Sequence, residues 1–488
     1  AETAQLLQVS EATVLRDFLQ RRPANGVLLM PVIGESGTGK SHLVRWAHAK
    51  TPVTDRRHVI YLPKTRTSLK AVVQALLAGV DSGPLAQLAV DVDRLSAEVD
   101  QAGLEQRLIN QMQEALAAAE PSASPVRALA GPKGLAVLLL DPHVREHLLS
   151  PHRLIPRLAA HLLADRCGGD RPLTFTIEDL PLDIADVKAA SVVAQKMLGM
   201  LHSRPEWQAH AVELLNRHLD VAVMNATNLG VGRLQRALID IRREFAAQGK
   251  EIVLLIEDFA LIQGVQRDLL EAVIEAGVRD GQTVLAPIRT LMAVTTGYYQ
   301  RLVETVLSRA KAATPYVYDL DVQFDPSDEG FIEVESFVGR YLNAARLGRE
   351  ELDRLQIRSA DEVPNACEDC PVGVQCHPGF GTSAEEFGLY PFNRSSLRRM
   401  IDARAPGGKL HVFNPRVIVG EVVRNVLVEH SQSLIDGTFP DTRFREEYPL
   451  DQLPDGRLTN AVRSAIDSAD PTDAERRATF LEFWGAPP

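Results

Sequence analysis

Residues 34–41 of the chain read Gly34-Glu35-Ser36-Gly37-Thr38-Gly39-Lys40-Ser41 and fit the pattern G-x-x-x-x-G-K-[ST] of a phosphate-binding P-loop. The apolar residues 27–33 precede this pattern and predict a buried parallel strand, and residues 43–50 follow it without a breaker and predict a helix. A strand, a glycine-rich loop and a helix in this order are the context that the pattern requires. The sequence therefore predicts an α/β fold built around this loop. The alternative is a glycine-rich turn that binds nothing.

The residue types of the loop suit a bound nucleoside triphosphate. Glycines let the backbone turn tightly and point its N–H groups at phosphate oxygens. A helix that starts at Lys40 and Ser41 adds the positive end of its dipole. We expect Lys40 to reach the β- and γ-phosphates and the Ser41 hydroxyl to ligate Mg²⁺. The predicted nucleotide-binding residues run from Gly34 through Ser41 to His42.

Length and composition restrict the class of protein. A chain of 488 residues predicts two to four domains, and 45% hydrophobic with 24% charged residues is typical of a globular protein. The net charge of −11 argues against a surface built as a whole for nucleic acid. No run of 18 apolar residues and no signal peptide occur, so we expect no membrane span. Only four cysteines occur, which favours a reducing compartment, and we expect the cytoplasm.

Before residue 250 the pattern is mostly helical. Apolar spacing predicts a helix within residues 1–24, a strand over 58–62 and a helix over 68–77. From about residue 80 to 230 the chain is rich in Ala, Leu and Arg, and we expect a helical insertion with helices over 104–119 and 154–166. Its predicted role is structural or partner-binding.

A pair of carboxylates ends the next apolar run. Residues 252–256 predict a buried strand, and Glu257 and Asp258 follow it directly. In a chain with a P-loop, such a pair predicts that one carboxylate, Glu257 by preference, holds Mg²⁺ and that the other orients or deprotonates the attacking water. The alternative for Asp258 is to cap the following helix.

Strands and helices continue to alternate after the carboxylates. Helices are predicted over 269–278 and 299–311, and strands over 288–296 and 316–320. This alternation predicts a parallel sheet with helices on both faces. The carboxyl ends of its strands would bring together the loop, the carboxylate pair and two threonines, namely Gly34, Glu257, Asp258, Thr295 and Thr296.

The order of these motifs resembles that of AAA+ ATPases, in particular their initiator/origin-recognition and STAND-like branches. The resemblance implies that Thr295 or Thr296 senses the γ-phosphate and that Arg309 reaches ATP in a neighbouring subunit of a homo-oligomer. It also implies that Arg416, at the start of a helix in a lid domain, contacts the nucleotide. Solvent-exposed arginines are the alternative for Arg309 and Arg416. The family's usual acidic pair is Asp then Glu, and the inverted order here implies slow hydrolysis.

The resemblance also implies a domain division. Residues 1–80 and 231–325 would form the nucleotide-binding domain, interrupted by the insertion over 81–230. Residues 326–430 would form a helical lid with a cysteine-rich loop, and residues 431–488 a C-terminal extension.

The cysteine-rich loop has the spacing C-x2-C-x5-C-H, formed by Cys367, Cys370, Cys376 and His377. A C-x2-C pair places two thiolates on one metal, so the spacing predicts a zinc site, with free thiols or a disulfide as alternatives. Adjacent ligands are sterically strained, so a fourth ligand from elsewhere is also open. Cys167 stands alone and predicts a plain buried thiol.

The leading hypothesis is an oligomeric ATPase that uses ATP and Mg²⁺ to drive the assembly or remodelling of other protein subunits. A slowly hydrolysing scaffold or switch is the second hypothesis. A DNA-remodelling motor or loader is the third, with a basic strip formed by Arg394, Arg398, Arg399 and Arg404. Analogy at the level of the fold suggests a bacterial multi-gene system such as phage defence.

Overall fold

The computed structural model of the chain describes most of its residues, namely 5–7, 10–67, 69–78, 100–119, 126–164, 173–227, 233–262, 266–279, 281–305, 311–323, 327–355, 363–405, 412–449 and 458–485. The chain forms two compact units. The N-terminal unit comprises Ala1–Gly34 and Lys40–Leu320, and the C-terminal unit comprises Glu35–Gly39 and Asp321–Pro488.

A parallel sheet forms the centre of the N-terminal unit. Its six strands are β1 (Gln5–Leu7), β2 (Val27–Gly34), β3 (Arg57–Leu62), β4 (Glu251–Ile256), β7 (Ile288–Thr295) and β8 (Tyr316–Asp319). They lie in the order β1-β8-β2-β7-β4-β3, and all neighbours are parallel. A separate antiparallel pair consists of β5 (Val278–Arg279) and β6 (Gln282–Thr283). The predicted α/β class with a parallel sheet is confirmed.

Both faces of the sheet are buried, which explains why its strands read as continuous apolar runs. In β2, Val27 and Leu29 face one hydrophobic cluster, and Leu28, Met30 and Val32 face another. Successive side chains of a strand point to opposite faces, so each cluster takes alternate residues. The strand that ends in the P-loop is therefore fixed from both sides.

The helices of the N-terminal unit follow the predicted pattern with shifted ends. Its α-helices are Glu11–Gln20, Lys40–Lys50, Leu69–Leu77, Gln101–Ala117, Val126–Leu129, Pro142–Leu148, Leu154–Leu163, Ile184–Ala189, Val192–Ser203, Pro205–Ala226, Arg233–Ala247, Gln266–Ile274 and Thr296–Thr305. Short 3₁₀ helices lie at Leu135–Leu140, Ile177–Asp179 and Phe259–Leu261. The predicted helical character of residues 80–230 is confirmed for the described part of that range.

The insertion shares its core with the sheet. One continuous cluster joins Val27 and Ile60 of the sheet to Leu104, Leu158 and Leu215 of the insertion helices. The amphipathic helices therefore bury their apolar stripes against one face of the sheet and against each other.

The predicted helix within residues 1–24 is wrong at its start. Residues 5–7 pair with Tyr316–Tyr318 as edge strand β1, and the helix begins at Glu11. The Ser10 side chain accepts a hydrogen bond from the Thr13 N–H and caps the helix there. Leu6 and Leu7 precede this cap and pair with Val317 and Tyr318, a strand about 300 residues away that local periodicity does not reveal.

The C-terminal unit is helical. Its α-helices are Asp328–Arg354, which is interrupted at Gly348, and Gly373–Phe380, Arg394–Arg404, Ser431–Ile435, Thr442–Glu447, Asn460–Ala469 and Ala474–Trp484. Two π-type segments occupy Arg416–Val423 and Asn425–Glu429. One hydrophobic cluster joins Phe331, Ile418, Phe444 and Phe483, so the last helices pack into the same core as the first. Of the helices in the described ranges, none is both long and apolar enough to cross a bilayer.

Glu251 ties three strands together at the amino edge of the sheet. Its carboxylate accepts hydrogen bonds from Arg57 Nε of β3 (2.7 Å) and from Arg289 Nε of β7 (2.9 Å). Arg289 also donates to the carbonyl oxygens of Phe18, within the first helix, and of Arg21, directly after it. Burial alone would raise the pKa of Glu251, but the hydrogen bonds from Arg57 and Arg289 outweigh burial and hold this pKa below its usual value.

Replacing Glu251 by glutamine is expected to lower the free energy of unfolding by about 1–3 kcal/mol at pH 7, because the half-buried guanidinium of Arg57 and the buried guanidinium of Arg289 lose a charged acceptor. The folded pKa of Glu251 is depressed, so its contribution is complete above the unfolded pKa of about 4.3 and is lost as the pH falls through the folded pKa. Urea unfolding at pH 7 and at successively lower pH values measures both effects.

The matched control is Glu271→Gln, which removes the carboxylate that pairs with the exposed Arg267 within one helix and is expected to cost less than about 1 kcal/mol. An equal loss at pH 7 for the two variants, or a loss for Glu251→Gln that does not shrink at low pH, would contradict this account.

Candidate functional site

The residues of the P-loop pattern take the backbone conformations that the pattern requires. β2 ends at Gly34, and the helix Lys40–Lys50 begins at the lysine of the pattern. Gly37 and Gly39 have φ angles of +96° and +100°, in the left-handed region that favours glycine. The predicted strand, loop and helix are confirmed, and the glycines stand where the chain turns back into the helix.

Lys40 is buried against its own loop. Its side chain is 7% exposed, and its Nζ donates a 2.7 Å hydrogen bond to the Gly34 carbonyl oxygen. An ammonium group in such a position has lost most of its hydration, so burying it costs free energy unless oxygen atoms accept its hydrogen bonds. This placement holds the lysine at the carboxyl end of β2.

The register of the sheet brings the predicted site residues to one edge. Gly34 is opposite Thr295, the last residue of β7, and Ile256 at the end of β4 is opposite Met292. β7 thus lies between the P-loop strand and the strand that leads to Glu257. The Ser41 hydroxyl donates a 3.0 Å hydrogen bond to the Glu257 carbonyl oxygen, which places it at the end of β4. Thr296 follows Thr295 as the first residue of the next helix.

The Glu257 side chain is turned toward donors inside the protein. Its Oε1 accepts from Arg45 Nε (2.9 Å) and from the Tyr61 hydroxyl, and its Oε2 accepts from the Lys64 N–H (2.9 Å) and from Arg45 Nη2 (3.4 Å). The carboxylate is 1% exposed. A carboxylate offers about four lone-pair positions, so these four bonds fill them. The Mg²⁺ ligation predicted for Glu257 stays a prediction, and in this arrangement it requires a bond to be exchanged.

The charges of this network reinforce each other. Burial alone would raise the pKa of Glu257, but hydrogen bonds from Arg45, the Lys64 N–H and Tyr61 outweigh it, so the pKa lies below its usual value. The bond to Glu257 raises the pKa of Arg45 above its usual range. Burial, with the bond to Glu257, raises the pKa of Tyr61 to about 12, so the phenol keeps the proton that it donates. Near pH 7, Glu257 is therefore a firmly held anion.

Asp258 has a different environment one residue later. It is half-buried, and its Oδ1 accepts a 3.1 Å hydrogen bond from the Ala260 N–H at the start of a 3₁₀ helix. The capping role that the sequence left as an alternative is therefore present. This cap holds the Asp258 carboxylate at the edge of the sheet, directly after Glu257.

Sequence reasoning missed Arg45 and Tyr61. Arg45 lies one helical turn after Ser41, and Tyr61 lies near the end of β3, the strand that pairs with β4. The ring of His48 stacks on Tyr61 with centroids 4.1 Å apart, so the same helix holds both partners of Glu257. Arg45 is four residues after Ser41, so both side chains lie on one face of the helix. This spacing predicts a contact with Glu257 only when the position of β4 beside the helix is known.

Within the C-terminal unit, two side chains contact Ser36 of the loop. Arg416 Nη1 donates to Ser36 Oγ (3.1 Å), and Asn414 Nδ2 donates to the Ser36 carbonyl oxygen (3.1 Å). Asn414 Oδ1 also accepts from the Arg416 N–H (3.0 Å), near the start of the π-type segment. A Cβ added to Gly37 would lie 2.4 Å from Asn414 Oδ1, which is closer than contacting atoms approach. A glycine at this position is therefore needed for packing as well as for its φ angle.

Other loop residues are held inside the same unit. The Glu35 N–H donates to Asp321 Oδ1 (2.5 Å), and the Thr38 hydroxyl donates to the Glu35 carbonyl oxygen (3.0 Å). His42 is exposed on the helix that follows the loop. Arg309 lies outside the described residues, as does Cys167.

The cysteine-rich loop also lies in the C-terminal unit. Cys367, Cys370 and Cys376 are half-buried free thiols. Burial raises the pKa of the Cys376 thiol, Arg346 lowers it, and the nearby Cys367 and Cys370 raise it. The zinc site that their spacing predicts stays a prediction. No group of three or more His, Cys, Asp or Glu side chains in the described ranges is arranged to hold a metal ion.

The predicted basic strip is largely engaged within its own unit. Arg394 pairs with Glu335 (2.5 Å), and Arg398 with Asp328 (3.0 Å). Arg404 pairs with Glu447 at 3.4 Å and stacks over the ring of Tyr448. Burial lowers the pKa of Arg399. Phosphate binding by this strip would compete with these pairs, so the contacts do not favour the DNA-motor hypothesis.

Comparisons of the chain with protein families, with curated proteins and with solved structures found no match.

Proposed function

We propose that this chain is an ATPase of the AAA+ type, which binds ATP with Mg²⁺ at Gly34–Ser41 and hydrolyses it to drive the assembly or remodelling of partner subunits. One observation carries the proposal: Lys40, Ser41 and Asp258 lie at the carboxyl ends of β2 and β4, on one edge of a parallel sheet. Ligands of α/β sheets bind at this edge.

The donor set fits the chemistry. Mg²⁺ prefers hydroxyl, carboxylate and phosphate oxygens, and the Ser41 hydroxyl would supply the first, beside the carboxylates that end β4. When bound, the ion neutralises charge on the phosphates. Lys40 and the loop N–H groups are the positive groups for the triphosphate.

We assign the water-orienting role to Asp258 and an anchoring role to Glu257. The Glu257 carboxylate already accepts four hydrogen bonds, so its main effect is to hold Arg45, Tyr61 and the Lys64 backbone at the site. Asp258 keeps its charge at the edge of the sheet, where it can accept a proton from an attacking water. The assignment explains how an inverted acidic pair can still serve hydrolysis.

Arg416 and Asn414 support a nucleotide-sensing role for the C-terminal unit as a helical lid. Both side chains contact Ser36, a residue of the phosphate-binding pattern. A guanidinium in contact with this loop is suited to a phosphate oxygen of the nucleotide. The proposed oligomer relies on Arg309, which would stabilise charge on ATP held by a neighbouring subunit.

A second candidate function is an ATP-bound switch that hydrolyses rarely. The four hydrogen bonds to Glu257 favour it, because this carboxylate must exchange one of them before it can take part in catalysis. An ATP-dependent change in oligomeric state, without turnover, would be its output.

Nucleotide content and phosphate release of the purified chain separate these functions. If the chain is an active ATPase, we expect Mg²⁺-dependent release of phosphate and a purified chain whose site holds ADP or no nucleotide. Retained ATP with negligible phosphate release supports the switch. A chain that retains no nucleotide and neither binds nor hydrolyses added ATP contradicts both. Mass measurement with and without ATP tests the oligomer.

A further inference from the structure

The cysteine-rich segment of the C-terminal unit folds as two turns that lead into a helix. The Cys370 N–H donates to the Cys367 carbonyl oxygen (3.2 Å), and the Gly373 N–H donates to the Cys370 carbonyl oxygen (3.0 Å). The helix Gly373–Phe380 then carries Cys376 and His377. A tight turn between the first two cysteines is the backbone arrangement that C-x2-C metal ligands use.

Two of the four candidate side chains already converge on one point. A Cβ built on Gly388 would lie 3.0 Å from Cys367 Sγ and 3.2 Å from His377 Nε2. The sulfur and the ring nitrogen therefore flank the same glycine. A side chain at this position would fill the space between the thiol and the imidazole, and glycine leaves that space open.

His377 Nε2 is buried and has no hydrogen-bond partner among the residues that the structure describes. Buried polar atoms are nearly always paired, because an unpaired one loses its hydrogen bonds to water and gains none in the protein. A metal ion would bind such an unpaired imidazole nitrogen together with the nearby thiol.

The backbone around this point is held in place by two asparagines. Asn343 is 1% exposed, donates to the Pro364 carbonyl oxygen (2.9 Å) and accepts from the Ala366 N–H (2.9 Å). Asn365 accepts from the Cys367 N–H (2.9 Å) and donates to the Glu386 carbonyl oxygen (3.0 Å). These bonds fix both the turn that carries Cys367 and the returning chain near Gly388. The loop is thus positioned by polar contacts outside the thiol cluster, as ligands of structural metal sites are.

We propose that Cys367, Cys370, Cys376 and His377 bind one structural zinc ion. Cys367 and His377 face the site as they stand, and Cys370 and Cys376 complete a tetrahedral set by changing side-chain rotamer. Three thiolates and one imidazole are a set that zinc prefers. Zinc would bind the unpaired His377 Nε2 and hold the turn that carries Cys367 and Cys370 against the helix Gly373–Phe380. It takes no part in ATP hydrolysis, so the proposal stands apart from the proposed function.

Metal analysis of the full chain tests the proposal. We expect about one zinc ion per chain. Cys370→Ser and His377→Asn are each expected to lose most of it, and Cys167→Ser, which removes the remaining cysteine, is expected to retain it. Replacement of zinc by Co²⁺ in the unaltered chain should give the intense absorption of cobalt–thiolate bonds and the visible bands of tetrahedral cobalt.

The cobalt measurement does not depend on whether the variants fold. An unaltered chain that holds no zinc and gives no cobalt–thiolate absorption would overturn the proposal. Iron in place of zinc, or loss of zinc in Cys167→Ser with retention in well-folded Cys370→Ser and His377→Asn, would overturn it as well.

Discussion

Replacing Lys40 by alanine is expected to reduce ATP hydrolysis by about 100- to 1,000-fold, the effect of removing one main electrostatic contact to a reacting phosphate. Lys40 is 7% exposed, and its ammonium group lies 2.7 Å from the Gly34 carbonyl oxygen, at the end of the P-loop strand. No other residue of the pattern carries a positive side chain. Phosphate release measured at saturating ATP and Mg²⁺ gives the ratio.

The matched control for this prediction is Lys50→Ala, at the exposed end of the same helix. It removes the same charge from the same helix and should leave the rate unchanged. A Lys40→Ala chain that hydrolyses ATP as fast as the Lys50→Ala chain would contradict the assignment of the loop.

Replacing Asp258 by asparagine is expected to lower the rate of hydrolysis by about 100- to 10,000-fold while ATP still binds, since the change removes a general base and keeps the phosphate contacts. Asparagine caps helices as well as aspartate does, so the bond to the Ala260 N–H can persist. The variant therefore separates the charge of Asp258 from its capping role.

Glu257→Gln is the comparison for Asp258→Asn. It leaves Arg45 beside a neutral amide, so the expected result is a loss of about 1–3 kcal/mol in the free energy of unfolding and a smaller loss in rate. Urea unfolding and phosphate release are measured on both variants. If Glu257→Gln abolished hydrolysis at unchanged stability while Asp258→Asn remained active, the two roles would have to be exchanged.

The sequence predicts well those features that depend on neighbouring residues. The P-loop pattern, the apolar runs of β2, β4 and β7 and the start of the helix at Lys40 are local, and the structure has each of them. The parallel sheet also follows, because strands alternate with helices.

The hydrogen-bond partners of Glu257 could not be predicted from the local sequence pattern. Arg45 and Tyr61 are 212 and 196 residues from Glu257 in the chain, and the helical insertion separates them. The sheet order places β3 beside β4, and only that order makes Tyr61 a neighbour of Glu257. For the same reason the edge strand β1 was missed, since its three residues acquire a strand conformation from pairing with β8.

The cysteine-rich loop is an intermediate case. Its spacing predicted that Cys367, Cys370 and Cys376 lie together, but the spacing contained no sign of Gly388 or of the unpaired nitrogen of His377. These contacts join residues from both ends of a loop, so they become visible only in the folded chain.

A calorimetric titration of ATP into the unaltered chain, with Mg²⁺ present, tests the central claim most directly. The account predicts saturable binding of one ATP per chain in the unaltered protein, and strongly weakened binding in Lys40→Ala with Lys50→Ala unchanged. Absence of ATP binding by the unaltered, folded and nucleotide-free chain would contradict it.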